Sequence, residues 1–202
     1  MPESLVNYIK QYQYKPADTD QFDIVGVKIG MTLEEALTAV DNYYPEPVAR
    51  KEYGKEYNPF QDQQEIMNAY VTLKIDNGKR QLLSINAIPD VKNNGETLIV
   101  YKVRLQDDFR PKYSEGLDQK YGRPTRIINY DAIWCQKPDL SNMYPCKDQK
   151  NTILHHMSRS NDFLKLENIE LKEQYDAIKT KKQLEKKKMQ EEERKSKLKD
   201  VF

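Results

Sequence analysis

Two cysteines, two histidines, one tryptophan and seven glycines among 202 residues leave little material for several common chemistries. Glycine is too sparse and too scattered for a phosphate-cradling loop. There is no Gly-x-Ser-x-Gly nucleophile turn and no spaced histidine pair of the metalloprotease kind. The only histidines, His155 and His156, are adjacent, so in a strand they point to opposite faces, and Cys135 and Cys146 lack the tight spacing of a structural zinc site. Neither cysteine sits in a helix-entry or nucleophile context. No catalytic residue, metal or cofactor is expected.

Long hydrophobic runs are also missing. Nothing approaches the roughly 18 apolar residues of a membrane-spanning helix, so no membrane span is expected. The N-terminus has no basic segment followed by an apolar one, hence no export signal. That fits an exported protein in its mature form or a cytoplasmic one. Nor is there a large charge of one sign. The formal net charge is +1, and residues 179–202 carry ten Lys/Arg against five Asp/Glu. Mixed signs on one segment are a poor electrostatic footprint for nucleic acid, so no nucleic-acid partner is expected.

What is present is periodicity. Residues 22–30 form a β-branched apolar run that contains Gly26 and ends at Gly30, which reads as a strand. Thr32 and Glu35 then have capping-box spacing, and Leu33, Ala36, Leu37 and Val40 lie one helical stripe apart until Pro45 and Pro47 end the pattern. Residues 48–66 are irregular and suit a strand and a loop. Val71, Leu73 and Ile75 alternate with Tyr70, Thr72 and Lys74, and Asp76-Asn77-Gly78 marks a hairpin turn. Strands over 81–88 and 97–105 complete a meander with one apolar face, which helices must cover.

A second helix is predicted over 113–121, stopped by Gly122 and Pro124. A strand over 125–134 follows, then two more from 151–157 and from 163. Both predicted helices end in a tyrosine followed closely by proline, which suggests two related helix-plus-sheet halves. From about residue 169 the chain is rich in Lys, Glu, Gln and Leu with no Gly or Pro, giving a helix of roughly 30 residues, or some 45 Å. Leu171, Tyr175 and Ile178 could dock its first half on the body, the rest being a solvated, mixed-charge face. The fold class is therefore α+β: residues 1–20 an N-terminal arm or short helix, 21–168 an antiparallel meander covered on one face by helices, and 169–202 a charged C-terminal helix. Tyrosine, at 14 residues, suits either half-buried sheet positions or a binding face.

The segment Gly26-Val27-Lys28-Ile29-Gly30-Met31-Thr32, with Glu34-Glu35 and Ala36, resembles the helix-entry motif of the bacterial outer-membrane assembly lipoproteins and of β-lactamase-inhibitor-like domains. The resemblance implies helices packed on a small antiparallel sheet that binds other proteins in the cell envelope. The charged tail, the cysteine segment and the lack of a lipid-attachment box depart from those families. Cys135 and Cys146 bracket an irregular loop of about twelve residues; a disulfide there would contribute roughly 3 kcal/mol, and the envelope resemblance favours it over two reduced thiols.

The resulting expectation is a non-enzymatic module that binds another protein, periplasmic or exported. An immunity or inhibitor protein is the near alternative. A small hydrolase using Asp107, Asp108 and His155 is the alternative from another class.

Overall fold

The computed structural model describes residues 18–44, 51–60, 66–76, 80–107, 113–128, 131–136, 146, 150–156 and 162–199. Residues 1–17 of the arm predicted over 1–20, the turn at Asn77-Gly78, the stop signals Pro45 and Pro47, and Asp108 lie outside them.

The architecture is α+β. Helix α1 (Leu33–Tyr43) leads into strands β1 (Lys51–Tyr57), β2 (Ile66–Asp76), β3 (Arg80–Pro89) and β4 (Leu98–Asp107). Helix α2 (Tyr113–Tyr121) then leads into β5 (Arg126–Ile128), β6 (Asp131–Trp134), β7 (Thr152–His156) and β8 (Asp162–Glu167), and α3 (Ile169–Lys199) follows. These strands form one sheet in the order β1-β2-β3-β4-β8-β7-β6-β5, every neighbouring pair antiparallel. Each half is thus a helix followed by a four-stranded meander, and the halves join along β4 and β8.

One face of the sheet carries the core. Val71, Leu73 and Ile75 of β2, Leu83 and Ile85 of β3, and Val103 and Leu105 of β4 are buried on it. Leu164 and Leu166 of β8, Ile153 of β7 and Trp134 of β6 extend that face into the second half. Ala36 and Val40 of α1, Leu117 of α2, and Phe22, Ile24 and Val27 pack over them. The strand alternation predicted the first-half face; α1 buries Ala36 and Val40 of its predicted stripe, with Leu33 and Leu37 partly buried beside them.

The segment predicted as a strand over 22–30 is instead a tight turn. Ile24 and Val27 exchange both backbone hydrogen bonds at 3.0 Å across Val25 and Gly26. Both central residues have positive φ, 49° and 81°, a conformation natural for glycine and costly for a β-branched residue. The Asp23 carboxylate holds the turn by accepting from the Gly26 N–H at 3.1 Å. The chain then reaches β4 where β8 no longer pairs with it: the Gly30 N–H donates to Val100 O at 2.9 Å, and Val100 N–H donates to Met31 O at 2.8 Å. Thr32 follows at once, so this pairing sets the direction in which α1 leaves.

The capping box is complete. Glu35 N–H donates to Thr32 Oγ1 at 3.2 Å, and Thr32 N–H donates to Glu35 Oε2 at 2.8 Å. At the other helix, Gly122 has φ 77° just past Tyr121, the left-handed stop expected of a glycine there, with Pro124 two residues on. The Gly122 carbonyl accepts from Trp134 Nε1 at 2.8 Å, which locks the end of α2 to β6. The predicted strand over 125–134 is two short strands, β5 and β6, paired from Arg126 with Ile133 to Ile128 with Asp131. Alternation alone cannot distinguish one continuous strand from two that double back.

The N-terminal turn also clamps α2. The Tyr121 hydroxyl donates to Asp23 O at 2.7 Å and accepts from the Asp23 N–H at 3.2 Å, while its ring meets Phe22 edge-on. Helix α3 begins as Asn168 N–H donates to Tyr101 O, and its first turns pack on β3 and β4. Tyr175 is fully buried there, whereas Leu184 and Met189 further along are 55% and 61% exposed. No described helix is long and apolar enough to cross a membrane.

Candidate functional site: the open face of the sheet

The strand register assigns the side chains of the second face row by row, because residues directly opposite in an antiparallel pair stand on the same side. One row reads Tyr70, Asn86, Lys102, Glu167 and Thr152. The next reads Thr72, Ser84, Arg104, Lys165, Leu154 and Ile133. A third reads Lys74, Leu82, Gln106, Phe163, His156 and Asp131. Most of these side chains are half-buried, and Tyr70 and Lys74 are exposed. Two features close the margins. Cys135 and Cys146 sit at disulfide distance, Cα atoms 6.2 Å apart, in a small apolar cluster with Ile133 and Leu154. The first turns of α3 lie towards the end of the sheet marked by Tyr101, the extra residue of a bulge in β4.

The open face is ordered by ring and charge contacts. The Arg104 guanidinium lies 4.2 Å from the centroid of the Phe163 ring, on whose other flank stands the His156 ring at 5.0 Å. His156 Nδ1 pairs with the Asp131 carboxylate from the neighbouring strand. Lys165 and Lys102 share one carboxylate, Glu167, at 2.6 and 3.5 Å. Tyr70 hydroxyl and Ser84 Oγ are 3.3 Å apart. The Tyr70 phenol is held below the ordinary tyrosine range, first by its hydrogen bond with Ser84, then by Thr72 and by the charges of Arg104 and Lys102, against a smaller opposing effect of burial. The face therefore combines large planar rings with a positive field, both legible only once β4 and β8 are known to be neighbours.

Cys135 and Cys146 are brought together as the loop argument expected. The turn and cap residues Gly26, Gly30, Thr32, Glu35, Gly122 and Pro124 sit at the two helix boundaries, on the covered side of the molecule. The three residues of the hydrolase alternative fare differently. Asp107 ends β4 opposite Asp162, and Asp108 is outside the described residues. His155 is 2% exposed on the covered face, with Nε2 3.0 Å from Asp162 Oδ1. The pair closes a buried polar site within the sheet, since a buried imidazole needs a partner. As strand alternation required, His155 and His156 point to opposite faces and find different carboxylates. Sequence reading missed Arg104, Phe163, Lys165 and Glu167; the one available signal was polar residues alternating with the predicted core positions of β4 and β8.

The chain matches no family model, no curated protein and no solved structure at a significant level.

Proposed function

We propose that this protein is a non-enzymatic binding module that docks another protein on the open face of its sheet, in the bacterial cell envelope. The observation that carries the reading is the face itself. An antiparallel sheet commonly leaves one face to water, but here α1 and α2 cover one side and the other carries rings and cations in contact, with Arg104 over Phe163. Tyrosine and arginine are the residue types that concentrate at protein interfaces, because both offer broad contact area with a polar tip. Rigid strands hold them without loss of loop freedom on binding. Support for the envelope setting is the cysteine pair, which suits an oxidising compartment, together with the resemblance of the turn-and-cap motif to envelope domains.

The test is site-resolved photocrosslinking in cells that make the protein. A benzophenone amino acid at Tyr70 on the open face should yield one defined protein adduct. The same probe at Tyr43, which is 60% exposed at the end of α1, should yield none. Adducts from both positions alike, or only to nucleic acid, would refute the reading.

A further inference from the structure

Within the open face one cluster is electrostatically unfinished. Arg104 and Lys165 are directly opposite on adjacent strands, and Lys102 stands one row away, opposite Glu167. Like charges placed directly across a ladder are destabilising. Among the described residues, Glu167 is the single carboxylate that serves both lysines, through separate oxygens, so three cations stand around one anion there. Arg104 is not relieved by it. Its Nε is buried without a hydrogen-bond partner, while the ring of Phe163 holds the guanidinium from one side. That nitrogen has no open surface, so an incoming acceptor would meet the terminal nitrogens of the guanidinium. The ring contact also fixes the plane of the fork, and a fixed guanidinium fork is matched in shape by a carboxylate.

From this juxtaposition we infer that Arg104, Lys165 and Lys102 form an anion subsite that receives an aspartate or glutamate side chain of the protein partner. The inference rests on the docking face proposed above. A protein carboxylate fits better than a polyphosphate strand for two reasons. The cations are concentrated at neighbouring positions, not strung along a track, and the flanking carboxylates of Glu167 and Asp131 would repel a run of phosphates. Leu82, Leu154 and Phe163 surround the cluster with half-buried apolar surface, which suits an acidic side chain set among apolar neighbours.

Three probes decide it on the full-length, oxidised protein labelled with nitrogen-15. They are a short peptide of alternating Glu and Leu, its Gln-for-Glu counterpart, and an oligothymidylate. The acidic peptide should shift the amide signals of Ser84, Arg104, Phe163 and Lys165, and the Gln peptide should not. The double variant R104Q/K165Q should weaken the acidic peptide by about tenfold or more, the scale of a lost charge-assisted contact, with its unfolding curve unchanged. Equal shifts from the Glu and Gln peptides, tighter binding of the oligothymidylate, or no shift at these residues would overturn the subsite. Repeating the Tyr70 crosslink in R104Q/K165Q separates the two ideas. An undiminished adduct removes the subsite and leaves the docking face, whereas no adduct in the unsubstituted protein removes the docking face itself.

Discussion

Leu73, Leu83, Leu105 and Leu164 make a continuous row across four strands on the covered face, none more than 6% exposed. One residue along each strand, the row Thr72, Ser84, Arg104 and Lys165 crosses the same strands on the opposite side. The backbone that fixes the first row fixes the second, so the open face inherits its rigidity from a core it does not touch. This division separates stability from recognition: substitutions on one row should act on unfolding, and those on the other on binding.

The sharpest way to break the comparison is the pair Leu83→Ala and Ser84→Ala. The first removes a fully buried side chain and should cost about 2–5 kcal/mol in urea unfolding. The second should stay within about 0.5 kcal/mol. A comparable cost for both would mean that the open face is part of the folding core. Next in size is the cysteine pair at the margin of the open face. Oxidised protein should exceed Cys135→Ser/Cys146→Ser by roughly 3 kcal/mol, read from denaturant midpoints without reductant, and equal midpoints would show that the crosslink contributes nothing there. Thr32→Ala removes the cap hydroxyl at the entrance to α1 and should cost about 1 kcal/mol. That loss belongs to the covered side and should leave the Tyr70 crosslink in place.

The smallest effect is pH-dependent. The Lys120 ammonium is partly desolvated, which lowers its pKa, but its hydrogen bonds to Asp23 and Tyr121 outweigh that and hold it above the ordinary lysine range. A raised folded-state value means that the contribution is complete below the unfolded pKa and disappears as pH rises through the folded one. The lysine side chain is 50% exposed, so solvent screening keeps the contribution to a few tenths of a kcal/mol. As pH rises above roughly 10.4, the ordinary lysine value, the unsubstituted protein should lose slightly more stability than Lys120→Met. A steeper loss in the variant would assign the dependence to another group.

Local signals in the sequence reached far into this fold. The spacing of Thr32 and Glu35 encoded a cap that forms with both reciprocal hydrogen bonds, and Gly122 with Pro124 marked where α2 ends. Alternation at Val71, Leu73 and Ile75 identified the core face of β2. The failures have two causes. Val25 looks like a strand residue because its side chain is β-branched, and composition does not reveal that its backbone sits at positive φ in a turn. The open face was illegible for a different reason: Arg104 and Phe163 lie 59 positions apart in the chain, and only the pairing of β4 with β8 makes them neighbours. Periodicity reports which side of a strand a residue occupies. It carries no information about which strand lies alongside.

The strand order has a kinetic consequence. Within each half, successive strands pair with their immediate predecessors, so most loops to be closed are short. Sequence-remote steps include the β4–β8 seam, the pairing of Gly30 and Met31 with Val100, and the docking of the Phe22–Asp23 turn on Tyr121. Proteins dominated by near-neighbour contacts close their chains with little entropic delay. Within each meander the chain closes over short spans, and the contacts that join the two halves carry the greatest loop-closure cost.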